Sequence, residues 1–327
     1  MINRIDKLKD VLRVQSSSYE QWRMFAYIIR QVAEYDFYVN DGNIYVEKGD
    51  AVAKPCVVAH MDTVHDIVED LSILDIDGKL TGFNKVKMTQ TGIGGDDKVG
   101  VFIALECLHL FDNIKVAFFR DEEVGCLGSG NADMPFFDNC TFVLQCDRKG
   151  NKDFITNASG VELSSSIFQK TIKKNIERFG YSFASGMMTD VMTLKQNGLR
   201  VSCANISCGY YNPHSYNEYV VIEDVMNCLD LVMDLIYLYG SDVYAHEYKY
   251  VYSKYEYKSK WATDKANTDR WTTDWDWDYR AKEYKPSWEI DDTTIGECMS
   301  CSQTTELKYD NYFDSHLCEE CISIFAR

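Results

Sequence analysis

Pro55-Cys56-Val57-Val58-Ala59-His60-Met61-Asp62-Thr63-Val64 is the stretch whose reading decides the fold. Its apolar run is short and β-branched, so a strand is expected over 55–59 with His60 at its end. Working outward, a second strand is expected over 43–47, and a helix over about 98–111 carries Val101, Ile103, Leu105 and Leu108. Further strands are expected over 115–119, 141–146 and 199–207, and helices over 170–179 and 221–238. The first strong helix opens after Ser16-Ser17-Ser18, where Ser17 with Glu20 or Ser18 with Gln21 offers a capping box. Trp22, Phe25, Ile28, Ile29 and Val32 follow at helical spacing. Strands alternating with helices predict an α/β architecture, a mixed, mostly parallel sheet with helices on both faces.

The chain has 327 residues, 46% of them hydrophobic and only four of them proline, which suits a globular protein with a sizeable core. A formal net charge of −17 argues against nucleic acid and anionic membranes as partners, because neutralising phosphate needs Lys and Arg. It suits cationic ligands. The N-terminal residues lack the apolar core of a signal peptide, and no run of 18 apolar residues occurs, so no membrane span is expected. Eight of the 12 cysteines are scattered through the first 228 residues, mostly in apolar strand-like runs. They read as buried thiols in a reducing cytoplasm.

Ligands in open α/β sheets bind at the carboxyl ends of strands, and the acidic and His residues of this chain fall there repeatedly. His60 stands at a strand end with Asp62 two residues on. A metal-bound imidazole needs an acceptor on its other nitrogen, and a carboxylate at this spacing can supply it. Gly92-Ile93-Gly94-Gly95-Asp96-Asp97-Lys98-Val99-Gly100 sets two aspartates in a glycine-rich turn at the start of a helix. One Asp would satisfy the helix cap; the second asks for another role. Asp121-Glu122-Glu123 crowds three carboxylates, which repel unless solvated or bound to cations. The bland reading of that triplet in isolation is an acidic turn. Asp147 follows an expected strand, and His214, in Asn212-Pro213-His214-Ser215-Tyr216-Asn217-Glu218, lies in a loop before the last helix. Together these residues suffice to hold two divalent metals with a carboxylate to spare as a base.

In order and local context the chain resembles the di-zinc exopeptidase superfamily that includes peptidase T, glutamate carboxypeptidase and acetylornithine deacetylase. The resemblance rests on Ala59-His60-Met61-Asp62-Thr63-Val64, Gly94 to Gly100, Asp121 to Gly125, Asp147 and His214, and spans roughly residues 20 to 240. It implies that Asp96 bridges two metals, with His60 and Asp147 completing one site and Glu123 and His214 the other. It implies Glu122 as the general base and Asp62 as the residue that orients His60. Zinc at both positions is an implication of the resemblance; cobalt and manganese use the same ligand types. Many members carry a domain-sized lid between the positions matching Asp147 and His214. Here only 66 residues separate them, so the lid is expected to be absent. Without it, an aminopeptidase acting on short peptides is favoured, its two-zinc-activated water served by Glu122. A dipeptidase, carboxypeptidase or N-acyl-amino-acid deacylase is the alternative within the same chemistry. A catalytically inactive binding or adaptor protein on the same fold is the alternative of another class.

These readings divide the chain into a lidless di-metal peptidase domain over 1–240, an aromatic-rich arm or linker over 241–294 and a zinc ribbon over 295–327. Residues 241–290 hold eight Tyr and five of the six Trp, the pattern of an aromatic-faced hairpin or arm packed on the main domain. Cys298-x-x-Cys301 and Cys318-x-x-Cys321 supply four thiolates, the tetrahedral set of one structural zinc ion. The segment 291–327 carries eight acidic and two basic residues, which turns this ribbon away from phosphate and toward stabilisation or a protein partner.

Overall fold

A computed structural model describes residues 4–248 and, as backbone alone, the strands at 294–297, 304–310 and 315–318. The arm beyond residue 248 and the side chains of Cys298, Cys301, Cys318 and Cys321 lie outside the described residues.

The chain opens with helices α1 (Arg4–Arg13) and α2 (Trp22–Val32), followed by β1 (Asp36–Asn40), β2 (Asn43–Lys48) and β3 (Lys54–His60). Next come β4 (Leu71–Ile76), β5 (Lys79–Asn84), β6 (Thr89–Thr91), helix α3 (Gly95–Leu110) and β7 (Ile114–Phe119). A short helix α4 (Leu127–Gly130) and a 3-10 turn at Met134–Phe137 lead to β8 (Cys140–Arg148), β9 (Asp153–Ala158) and β10 (Val161–Glu162). Then follow α5 (Ser166–Arg178), β11 (Ser182–Gly186), α6 (Asp190–Gln196) and β12 (Cys203–Ser207). The main body closes with β13 (Tyr210–Tyr211), β14 (Tyr219–Val221) and α7 (Ile222–Tyr239). In the C-terminal segment β15 (Thr294–Glu297), β16 (Thr304–Asp310) and β17 (Ser315–Cys318) form an antiparallel three-stranded sheet.

Nine strands form one mixed sheet in the order β1-β2-β7-β3-β8-β12-β9-β10, with β11 beside β9. Its centre, β7-β3-β8-β12, is parallel, and antiparallel strands flank it. β3 and β7 are buried along their whole length, as expected of parallel strands covered on both faces. One face packs against α1, α2, α3, α5 and α7; the other packs against α6 and the 3-10 turn through Phe136, Phe137, Val191 and Leu194. Residues 148–213, between Asp147 and His214, are spent on β9 to β12, α5 and α6 of this body and on β13 of a second sheet. All eight cysteines of the main body are buried and free. Among the described residues no helix is long and apolar enough to cross a membrane.

A second sheet, β13-β14-β5-β4 with β6 against β5, has no counterpart in the sequence reading of 71–91. Nor do α1 and β1. The expected capping box also fails: α2 starts without a side-chain cap. Ser18 donates instead to Asp62 (2.8 Å) and the Gln21 amide to Asp121 (2.7 Å), so both residues hold buried acids behind the cleft rather than the helix end.

α3 is buried on nearly every side, because its residues are apolar all round. At its start the Asp97 carboxylate accepts the Gly100 N–H (3.0 Å) and the His60 N–H (3.1 Å), joining the helix to the end of β3. A Cβ on Gly100 would lie 2.2 Å from Asp97 Oδ1. The Gly100→Ala protein is therefore expected to lose about 1–3 kcal/mol of stability, the usual cost of forcing extra volume into a packed site. Thermal denaturation measures this, and an unchanged midpoint would contradict the contact.

Candidate metal centre

The parallel centre of the sheet brings the carboxyl ends of β3, β7 and β8 to one edge, and each end delivers part of the candidate site. His60 closes β3 with its ring fully buried. Its Nδ1 lies 3.0 Å from the Asp62 backbone oxygen and 3.4 Å from the Asp62 carboxylate. The main-chain carbonyl is thus the nearer acceptor. The Asp62 carboxylate also accepts the Glu122 N–H (2.9 Å), the Glu123 N–H (3.3 Å) and the Ser18 hydroxyl. It ties the end of β3 to the acidic turn after β7.

With Nδ1 turned to that carbonyl, His60 presents Nε2 to the cleft, where the neutral ring would offer a lone pair to a metal. Nε2 lies 3.3 Å from Asp96, 3.7 Å from Asp147 and 3.9 Å from Glu122, yet it is buried without a hydrogen-bond partner. Glu123 Oε1 is likewise buried and unpartnered. The two aspartates of the turn separate in function: Asp97 points into the protein, while Asp96 reaches both histidines, with His214 Nε2 at 3.4 Å. Glu123 completes the other side at 3.1 Å from His214. Two groups result, His60–Asp96–Asp147 and Asp96–Glu123–His214, each with ligand atoms within 4.8 Å of one another and with Asp96 common to both. Imidazole nitrogens and carboxylate oxygens converging in this way fit divalent cations, which would take the place of the protons held there.

Asp147 is held from its neighbours. Asn205 on β12 receives the Asp147 N–H (2.9 Å) and donates its amide to the Asp147 carbonyl (2.7 Å), and the Tyr210 hydroxyl donates to the carboxylate (3.1 Å). His214 comes from the β13–β14 loop of the small sheet, not from a strand end of the main one. Its side chain is half exposed, and its φ is +59°. Glu122 lies beside both groups, its backbone pinned by Asp62, with one oxygen 3.5 Å from the Cys126 thiol.

Several residues of the site went unnoticed in the sequence. Glu218, fully buried, accepts from Gly94, Asp96 and His65. Asp190, also fully buried, accepts from Ser129 (2.6 Å) and Gln145 (2.9 Å). Glu218 stood in the quoted His214 stretch; nothing in the local sequence marks Asp190, Gln145, Asn205 or Tyr210.

A cavity of about 220 Å³ opens beside the two groups. Its lining also includes Arg148, Lys149, Met187 and Met188, and both methionines are exposed.

Burial and crowding move most of these groups in one direction. Burial pushes Glu123 up to about 8, with the Asp96 charge adding to it. Burial and Asp96 likewise raise Asp147, and burial raises Glu122. Asp190 is pushed up to about 7 by burial and by Glu122. The hydrogen bond to Asp96 lifts His214 to about 9, with Glu123 assisting. Burial alone would lower His60, but the Asp147, Asp62 and Asp96 carboxylates around it raise it. Asp96 goes the other way: burial would raise it, and the two histidines hold it far below the usual carboxylate range. Raised folded-state values mean that the metal-free native chain binds more protons than the unfolded chain between the ordinary carboxylate range and about pH 9. Its stability is therefore expected to fall as pH rises from 5 toward about 9. Metal binding, which needs these ligands deprotonated, should tighten over the same interval. Melting curves with and without zinc measure both, and a metal-free midpoint that rises through this window would contradict the assignment.

No protein-family model and no curated protein matches the chain. Solved structures do. Aminopeptidase PepT from Bacillus cereus ATCC 10987 superposes with a TM-score of 0.60 at 12% identity, over 72% of this chain and 98% of that one. A tripeptidase from Staphylococcus aureus gives 0.58 at 12% identity, over 72% and 98%. The TET1 peptidase of Pyrococcus horikoshii, described as assembling into a tetrahedron or a large octahedral shell, gives 0.53 at 16% identity, over 71% and 99%. At such identities the likeness is one of fold, and the α/β body of this chain has the fold that these peptidases share.

Proposed function

We propose that this chain is a metal-dependent hydrolase that cleaves peptide bonds, acting as an aminopeptidase on short peptides. The observation that carries the reading is Asp96, placed between two ligand groups that each contain a histidine. Fold likeness alone would not decide function. His60, Asp96 and Asp147 would hold one zinc ion, and Asp96, Glu123 and His214 the other; cobalt or manganese would suit the same donors. When bound, such ions would supply Lewis acidity to the scissile carbonyl and lower the pKa of the attacking water. The remaining chemistry belongs to the chain. Glu122 takes a proton from the attacking water as its oxygen bonds to the carbonyl carbon. It returns that proton to the departing nitrogen as the carbon–nitrogen bond breaks. Burial that raises the Glu122 carboxyl brings its affinity for protons closer to neutrality, which suits both transfers. Asp62 keeps Glu122 and Glu123 in register with His60 through its two backbone hydrogen bonds.

A cleft without an inserted lid, as the 66 residues between Asp147 and His214 imply, suits substrates whose amine is read by carboxylates there. Arg148 and Lys149 on the cavity wall favour a second reading, a dipeptidase or carboxypeptidase that grips the substrate's free carboxylate. A structural zinc on Cys298, Cys301, Cys318 and Cys321, a protein partner for the arm or ribbon, and a cytoplasmic location complete the proposal.

The Glu122→Gln protein is expected to lose at least 1,000-fold in turnover, on the order of removing an essential general base, while keeping wild-type zinc content. Steady-state kinetics with metal analysis measure both, and near-wild-type turnover would remove Glu122 from the role. Digestion of a peptide library with free and blocked ends separates the two readings. Cleavage that requires a free amine supports the aminopeptidase, whereas cleavage that requires a free carboxylate supports the second reading.

A further inference from the structure

We infer that Glu218, braced by His65, is a positioning residue that sets the second metal position by fastening its ligands to one another. The inference rests on the di-metal reading above. Glu218 ends the loop that carries His214 and precedes β14. Its carboxylate is 0% exposed. One oxygen accepts the Gly94 N–H at 2.7 Å and the His65 Nε2 at 2.7 Å; the other accepts the Asp96 N–H at 3.1 Å. A carboxylate taken out of water is tolerated only when such donors replace its hydration. Here two of the donors, the Gly94 and Asp96 N–H groups, come from the turn that presents Asp96, so one side chain joins the loop of one ligand to the turn of another.

The surroundings leave this join little slack. Within the loop the Glu218 N–H donates to the Ser215 carbonyl (3.1 Å), and the Ser215 hydroxyl donates to the Asn212 carbonyl (2.8 Å). The segment around His214 is therefore a closed knot hung from Glu218. On the turn side, a Cβ on Gly95 would lie 2.7 Å from Tyr210 Cβ and 2.8 Å from a Val220 methyl. A Cβ on Gly92 would lie 2.1 Å from the His65 ring. Glycine at these two places lets the turn approach Glu218 and His65 closely enough for the hydrogen bonds to form. Lys98 holds the same turn from its other side, donating to the Ile93 (3.0 Å) and Leu12 (3.2 Å) carbonyls. His214 itself is half exposed and in a left-handed conformation, so little besides this knot fixes its approach to Asp96.

The inference separates Glu218 from a residue that merely supports the fold. A fold-supporting residue would lower stability and affect both metals alike. A positioning residue acts first on the metal that needs His214 and Glu123. The test is the full-length Glu218→Gln protein, with His65→Gln beside it, titrated with zinc against a chromogenic chelator. Expected is weakening of one zinc-equivalent by about 10- to 100-fold, the usual effect of losing a group that orients a ligand. The zinc held by His60 and Asp147 should change less, as should any thiolate-held zinc of the tail. Turnover should fall through kcat with KM little changed, and excess zinc should restore it; His65→Gln should show the same pattern more weakly. Wild-type protein that binds no second zinc outside the tail would overturn the di-metal reading and this inference with it. Wild-type binding of two such zinc ions, retained with unchanged affinity in Glu218→Gln, would overturn this inference alone. So would equal weakening of both zinc ions accompanied by a lowered melting midpoint.

Discussion

Four carboxylates, Asp96, Glu122, Glu123 and Asp147, converge with two imidazoles at one edge of the sheet, and the rest of the body is arranged to keep them there. Like charges this close repel, and burial adds a desolvation penalty for each ionised group. The raised carboxyls of Glu122, Glu123 and Asp147 are the mark of that cost. Such an arrangement makes physical sense around cations, whose charge reverses the local balance. His60 Nε2 points the same way, because a buried polar atom that makes no hydrogen bond is otherwise an expense without return.

Behind these residues stands a further set of buried acids that face away from the cleft, each committed to donors. Asp62 binds the N–H groups of the acidic turn, Asp97 those of His60 and Gly100, Glu218 those of Gly94 and Asp96, and Asp190 the side chains of Ser129 and Gln145. Each joins separate segments of chain. Stiffness in the first set is thus achieved by satisfied polar groups in the second, which is how precise ligand geometry is usually supported. α2 fits the same pattern, since Ser18 and Gln21 leave its N-terminus uncapped and serve Asp62 and Asp121. Local helix stability yields here to the site, the kind of local conflict expected near function.

Much of the fold was legible because its signal is strong and local. β3, β7 and β8 are short apolar runs, and α3 and α7 are long apolar helices, so the burial that forms them is written in neighbouring residues. α1 was not legible: its apolar face is only Leu8, Val11 and Leu12 in a charged segment, and its docking depends on Glu106 of α3 gripping Arg4 and Lys7. The small sheet was also missed, because β4 is exposed along much of its length and its pairing with β5 is a matter of register.

The sequence marked His60, Asp96, Glu122 and Glu123 as candidates because they sit in short motifs of distinctive composition, and Asp147 and His214 only through their order and spacing in the family resemblance. It also placed the motifs that end β3, β7 and β8 on one edge, since the carboxyl ends of parallel strands lie together. Tertiary structure supplied the physical reason why Asp96, as the resemblance implies, and not Asp97 enters the cleft: Asp97 is claimed by the N–H groups of His60 and Gly100. It decided that a loop from a second sheet carries His214 to Asp96, and that Glu218 and Asp190 belong to the site. Those choices rest on hydrogen bonds between residues far apart in the chain, up to 124 positions for Glu218 and Gly94, and no local pattern encodes them.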